Sequence, residues 1–279
     1  MTRKRLYSEV SAKGLCIKKV AEIGVFYPQA SNIADFIKDG VQCLLVEPDP
    51  VSIEKIEVAF GHLKNVTLFR FAIADENGTL ELVQRGASTF ARNLPRSPSL
   101  VNENYKIKLE DVFLAEARRF DRIDPGDIDL ISLDIEGGEW FVLKHMISRP
   151  QVISVETHGG RYSNYYLKEI NKWMKINGYQ KWYKDKSDTV YAFRDSVKVS
   201  FLEKLTLYRI SLYIVSYRFY REIIRRLTAI RHGLTERERI RHVFQKYQLL
   251  KKSRFQEYAE LKISPYKTYA PKFDWKAIY

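Results

Sequence analysis

The stretch LISLDIEGGEW, residues 130–140, opens as a buried-strand pattern and then breaks into Asp134, Glu136 and Glu139 around the adjacent glycines Gly137 and Gly138. Acids placed this way either solvate a loop and start a helix, or they hold something. The first half of the stretch decides the class of fold, because its kind recurs along the chain. Short apolar strands are predicted at 19–23, 43–46, 67–71, 130–134 and 152–156. Amphipathic stretches separate the early ones: ASNIADFIKDG (30–40), which stops at Gly40, and PVSIEKIEVAFGHLK (50–64). Alternation of strand and helix at this spacing predicts an α/β, Rossmann-like fold, a mostly parallel sheet with helices on both faces. YQKWYK (179–184) and DTVYAFR (188–194) read as a hairpin closing the sheet edge.

Two stretches depart from the alternation. FRFAIADENGTLELV (69–83) reads as a hairpin with its turn at Asn77 and Gly78. RGASTFARNLPRSPSLVNEN (85–104), rich in Ser, Pro and Asn, predicts a mobile loop over the working edge of the sheet. From about residue 198 the period becomes helical: Phe201, Leu205, Tyr208, Leu212, Val215, Phe219, Ile223, Leu227 and Ile230 recur at steps of three and four. Gly233 breaks that run. Thr235 and Glu238 then form a capping-box pattern ahead of a second helix carrying Ile240, Val243, Phe244, Tyr247 and Leu250. SPYKTYAPKFDWKAIY (264–279), aromatic and broken by prolines, reads as an extended strap. The expected domains are therefore 1–197, Rossmann-like, and 198–279, a basic helical extension.

Charge separates the same two parts. Residues 198–279 hold 19 Lys and Arg against 7 Asp and Glu, while the remainder holds 28 against 27, so nearly all of the formal +13 sits in the extension. A nucleic-acid enzyme needs a basic surface around its cleft, and here the body is close to neutral, so nucleic acid is a disfavoured partner. The apolar stripe of the extension is not a membrane span, since Arg209 and Arg218 interrupt it within far fewer than the roughly 20 residues required. It leaves three occupants open: the body of the protein, a second copy in a homo-oligomer, or an anionic membrane surface. MTRKRLYSEV at the N-terminus lacks a secretory apolar run, which suggests a cytoplasmic protein, peripheral at the inner membrane face if the third occupant applies. Cys16 and Cys43 lack metal-like spacing and are expected to be buried, reduced thiols.

In an open parallel sheet the ligand lies beyond the carboxyl ends of the strands, at the point where strand order reverses. The first strand delivers Glu22 and Gly24, the second Glu47, at a spacing suited to a ribose whose two hydroxyls both donate. No G-x-G-x-x-G fingerprint and no phosphate cradle accompany them, which disfavours NAD and FAD. A nucleoside without phosphates points to S-adenosylmethionine. Asp75, after the third strand, is a candidate for the adenine amino group or a plain turn residue. Asp134 and Glu136, two apart on extended backbone, would face the same cleft and could orient an acceptor, take up a proton, or hold a divalent metal. Glu139 best fits a helix N-terminus. Glu156 and His158 share a face after the fifth strand, with His158 a candidate base, an acceptor or metal ligand together with Asp134 and Glu136, or an inert loop residue. Asp111 reads as a helix cap rather than a catalytic acid.

AEIGVFYPQASNIADFI, CLLVEPDP, FAIADENGTLEL, KIKLEDVF, IDLISLDIEGGEWFVLKHM and PQVISVETHG, in this order, resemble the FkbM-type methyltransferases over roughly residues 18–160. The resemblance implies a class I methyltransferase fold, S-adenosylmethionine, and methyl transfer to a hydroxyl, often on a sugar of a glycan or natural product. It places Glu22 and Gly24 on the first motif, Glu47 on the ribose acid, and Asp134 and Glu136 on the fourth-strand acids. Glu22 stands where an Asp is usual, and Pro28 where a second Gly is expected, so a reshaped loop is anticipated. Pro28 is also the feature that favours a rival reading, a non-catalytic binding or scaffold protein.

Overall fold

The computed structural model describes residues 3–231 except 87, 103–104, 160–161 and 186. The chain divides into two compact units, Met1–Ile214 and Val215–Tyr279. Numbered in chain order, the strands are β1 (Lys19–Ile23), β2 (Gln42–Val46), β3 (Val66–Phe69), β4 (Ala72–Ile73), β5 (Gly78–Arg85) and β6 (Ser88–Ala91). There follow β7 (Val112–Arg118), β8 (Leu130–Leu133), β9 (Val152–Glu156), β10 (Tyr179–Asp185) and β11 (Asp188–Phe193). The helices are α1 (Arg5–Ala12), α2 (Ala34–Lys38), α3 (Pro50–Phe60), α4 (Pro98–Asn102), α5 (Glu139–Lys144), α6 (Leu167–Ile176) and α7 (Phe201–Arg231).

Among the described residues the main sheet has seven strands, in the spatial order β3-β2-β1-β8-β9-β11-β10. From β3 to β9 the pairs are parallel, and β11 runs antiparallel to both of its neighbours. This is the α/β, Rossmann-like order that the alternation predicts, with the edge hairpin where expected. β8 and β9 are buried at every position, which is why they read as continuous apolar runs. One face packs Val20, Leu45 and Leu130 against α1, α2 and α3 through Leu6, Phe36 and Ile56. The other packs Ile23, Ile131 and Leu133 against α5 and α6 through Val142, Leu143 and Ile170.

Register fixes where the site is. Ile23 lies opposite Val46 on one side and Leu133 on the other, and Leu133 lies opposite Val155. The residues that follow, Gly24, Glu47, Asp134 and Glu156, therefore emerge at one level on one rim. Strand order reverses between β1 and β8, at the centre of that rim.

Several expectations are corrected. The chain does turn at Asn77 and Gly78, but β5 does not return along β4. β7 lies between them, in a four-stranded sheet of order β4-β7-β5-β6. The segment 85–104 contains β6 and α4 rather than being loop throughout. Asp111 belongs to a 3-10 turn and accepts a hydrogen bond from the Tyr105 hydroxyl. Cys43 is buried, but Cys16 is exposed; both are free.

The helical period from Phe201 is realised as α7. Its first turn is a reciprocal capping box, with the Ser200 amide donating to Glu203 Oε2 at 2.6 Å and the Glu203 amide donating to Ser200 Oγ at 3.2 Å. Trp182 Nε1 donates to Glu203 Oε1 at 2.8 Å. No helix among the described residues is long and apolar enough to cross a membrane. The predicted Gly233 break, the Thr235 cap, the second helix and the strap lie outside the described residues.

Candidate functional site

β1 ends in a loop held by two buried acids. Glu22 accepts from Ser31 Oγ at 2.6 Å and from the Asn32 amide at 2.7 Å, so it ties the loop to the approach of α2. Burial pushes its carboxyl up to about 7, against those two donors. Glu47 Oε2 accepts the Val25 and Phe26 amides, each at 2.9 Å, and its Oε1 accepts the Asp49 amide at 3.1 Å. Burial raises Glu47 as well. Phe26 adopts φ 57°, a left-handed conformation that bulky residues rarely take. The bend aims two consecutive amides at one carboxylate.

Gly24, which lines the cavity, is also required by the sheet itself. A Cβ there would lie 1.9 Å from the Asp134 carbonyl oxygen, so the glycine lets the ends of β1 and β8 approach each other. Gly137 has the same kind of role: a Cβ would meet the Arg96 carbonyl at 2.6 Å.

The acids of the opening stretch divide by environment. Glu136 is not on extended backbone; it turns at φ 57°, and Ser88 Oγ donates to its Oε1 at 2.7 Å. Asp134 is half-buried and accepts no hydrogen bond at its carboxylate from the described residues. Burial, then the charges of Glu139, Glu22 and Glu47, push its carboxyl up. Glu139 is no solvated helix start. It is fully buried and accepts from the Ile135 amide at 3.0 Å, the Gly137 amide at 3.1 Å and Asn164 Nδ2. Glu156 is buried at the end of β9, with its pKa raised well above the usual carboxylate range by burial and then by Asp134, Glu136 and Glu139. His158 Nδ1 lies 3.0 Å from Thr157 Oγ1.

A cavity of about 500 Å³ opens on this rim. The structure brings Glu22, Gly24, Glu47, Asp75, Asp134 and Glu136 to its wall, while Glu156 and His158 do not line it. Asp75 sits at the mouth, ion-paired with Lys144 Nζ at 2.6 Å and hydrogen-bonded to His145 Nε2 at 2.7 Å. The Lys144 hydrogen bond, then that of His145, lowers its pKa. Glu76 adds a further acid, and neither Lys nor Arg lines the cavity among the described residues. A wall whose only charged side chains are acids suits a cation over a phosphate, so the donor set fits the sulfonium and amino groups of S-adenosylmethionine. The volume is within the range of small-molecule sites. The set Asp134, Glu136 and His158 does not form a metal-ligand cluster; among the described residues Asp134, Glu139 and Glu156 do, with ligand atoms within 4.8 Å of one another. Glu139 was the residue least marked by sequence, because only its burial separates it from an ordinary helix start.

No curated protein matches the sequence. Among solved structures, a Methanococcus jannaschii fibrillarin pre-rRNA processing protein is 14% identical, with 68% of this chain and 75% of that chain covered, at a TM-score of 0.36. Aeropyrum pernix fibrillarin, solved with natively bound S-adenosyl-L-methionine, is 9% identical over 67% and 74%, at 0.36. A ribosomal protein L11 methylase from Lactobacillus delbrueckii subsp. bulgaricus is 10% identical over 67% and 74%, at 0.34. Likeness at that level carries nothing beyond the strand order already described. The Methyltransferase FkbM domain model matches residues 20–181, from within β1 to within β10. That stretch is more than half of the chain and takes in the whole acidic rim: the chain belongs to the FkbM methyltransferase family.

Proposed function

We propose that this S-adenosylmethionine-dependent methyltransferase acts on a hydroxyl of a sugar or glycan. The observation that carries the reading is the cavity wall at the reversal point of the sheet, whose charged residues among the described ones are all acids, with neither Lys nor Arg. Such a wall accommodates a cationic cofactor and a neutral, hydroxyl-bearing acceptor, and opposes a polyphosphate chain or a nucleic-acid backbone. Phe141 and Tyr166, in edge contact at 5.3 Å, line it alongside Asn77, Thr89 and Asn93. An apolar ring beside amide and hydroxyl groups matches the mixed faces of a sugar.

The cofactor supplies an electrophilic methyl group on a positively charged sulfur. Glu47 keeps one lone-pair site, on Oε1, beyond the three taken by the amides, so one ribose hydroxyl can donate to it without unmaking the loop. Asp134, with its carboxyl raised toward neutrality by burial, is the wall group suited to receive the proton of the acceptor hydroxyl. Glu136, fixed by Ser88, can orient that hydroxyl. Holding acceptor and donor in line contributes more than the strength of the base.

The test uses the full chain. Calorimetric titration with S-adenosylmethionine is expected to show binding that weakens at least about tenfold in Glu47→Gln, the order of one lost charged hydrogen bond. Asp134→Asn should retain binding and lose turnover by about a hundredfold or more. Labelled cofactor offered with an oligosaccharide panel and with RNA should mark carbohydrate alone. Labelled RNA would overturn the acceptor assignment, and absence of cofactor binding would overturn the whole reading.

A further inference from the structure

Asp134, Glu139 and Glu156 come from three different elements and meet at one point. Asp134 follows β8, Glu139 opens α5, and Glu156 ends β9, one position beyond the paired Leu133 and Val155. One oxygen from each lies within 4.8 Å of the other two. Three carboxylates at that separation repel strongly in a buried setting unless they hold protons or something positive lies between them. No Lys or Arg among the described residues forms an ion pair with any of them.

Glu156 supplies the second, independent sign. The residue is only 7% exposed, and its Oε2 is buried without a hydrogen-bond partner. A buried carboxylate oxygen left bare costs its full desolvation, and this one belongs to a group whose ligand atom faces the other two. Glu139 is oriented by the Ile135 and Gly137 amides on Oε1 and by Asn164 Nδ2 on Oε2. These donors occupy both lone-pair sites of Oε1 and one of Oε2, leaving Oε2 as the ligand oxygen, and they hold the carboxylate still, as outer partners do for metal ligands.

We propose that Asp134, Glu139 and Glu156 form a binding site for a hard divalent cation, of the Mg²⁺ or Mn²⁺ class. Oxygen-only ligands select such ions over zinc or copper. Metal–oxygen bonds of about 2.1 Å place ligand oxygens about 3 to 4 Å apart, within the span of this cluster. The site lies behind the cavity and touches it through Asp134 alone, since Glu139 and Glu156 are not part of the wall. A cation there would fix Asp134 from behind while its other lone pairs face the cavity.

The experiment reads the metal directly, with neither cofactor nor acceptor present, so its failure is distinct from failure of the methyl-transfer reading. Full-length protein stripped with EDTA is titrated with MnCl₂, and free Mn²⁺ is followed by electron paramagnetic resonance. One saturable Mn²⁺ per chain, displaced by Mg²⁺, is expected, together with a Mn²⁺-dependent rise in melting temperature. Glu156→Gln should weaken Mn²⁺ at least about tenfold and shrink the rise in melting temperature at a given Mn²⁺ concentration. If that variant does not fold, Asp134→Asn, at a half-buried position, carries the same expectation. Absence of saturable Mn²⁺ binding by the wild-type chain overturns the proposal, as does undiminished binding in the folded variant.

Discussion

Glu22 is buried in the cavity wall with one oxygen on Ser31 and the other on the Asn32 amide, yet burial still lifts its carboxyl from 4.5 to about 7. The folded chain thus holds this proton more tightly than the unfolded chain. Below about 4.5 both states are protonated and the group contributes nothing. As pH rises toward 7 the unfolded state releases its proton first, and folding loses stability, on the order of 3 kcal/mol once pH passes about 7. Urea unfolding of the cofactor-free protein should therefore show Glu22→Gln gaining on wild type as pH is raised across that window. A gap independent of pH would remove the assignment. The acids of the rim were legible in the sequence because they directly follow apolar strands, and strand ends are where such sheets place ligands. The hydrogen bonds that occupy them were not legible: nothing in VAEIGVFYPQA announces that Phe26 turns left-handed and delivers its amide to Glu47. The sequence marks Gly24 by its place after β1 but does not announce that the Asp134 carbonyl presses on it, a contact more than a hundred positions away in sequence.

α3 shows how an element can be specified by four residues. In EPDP, Glu47 takes the Asp49 amide, Pro50 begins the helix, and the Asp49 side chain accepts from the Val51 amide at 3.3 Å, the Ser52 amide at 3.2 Å and Ser52 Oγ at 2.7 Å. Proline is suited to a first helical position and Asp to the cap before it. Asp49→Ala should cost about 1 to 2 kcal/mol in urea denaturation, and Asp49→Asn, which keeps an acceptor, clearly less. Equal losses would show that the charge, not the cap, is what matters. Local chemistry of this kind is why α3 and the buried strands were legible. β7 was not, because VFLAEAR alternates only weakly in burial and pairs with β5 and β4 some thirty to forty-five residues earlier. The turn at Asn77 and Gly78 was correctly placed, but a turn fixes only that the chain reverses. Its partner is set by the ladder, and here Asn77 Oδ1 accepts the Arg119 amide at 2.9 Å and joins the turn to the end of β7 instead.

The two signs of charge are kept in different parts of the molecule: the cavity wall is acidic, and nearly all of the excess positive charge belongs to residues 198–279. α7 leaves Phe201, Leu205, Tyr208, Leu212, Val215 and Phe219 exposed at helical spacing, with Arg209 exposed beside them and Arg221 half-buried. An apolar stripe edged with arginine matches a helix lying on an anionic lipid surface, which would bring the enzyme to a glycan built on a lipid carrier. The full chain is then expected to co-sediment with vesicles containing phosphatidylserine at low salt and not with phosphatidylcholine alone. Raising salt shortens the screening length from about 10 Å at 0.1 M to about 3 Å at 1 M and should release it. Each cation near such a surface contributes about 1 kcal/mol, so Arg209→Ser with Arg221→Ser should lower partitioning by about thirtyfold. Equal recovery on both vesicle types would reject the lipid surface. A concentration-dependent dimer in equilibrium sedimentation would then identify a second copy of the chain as the occupant of the stripe.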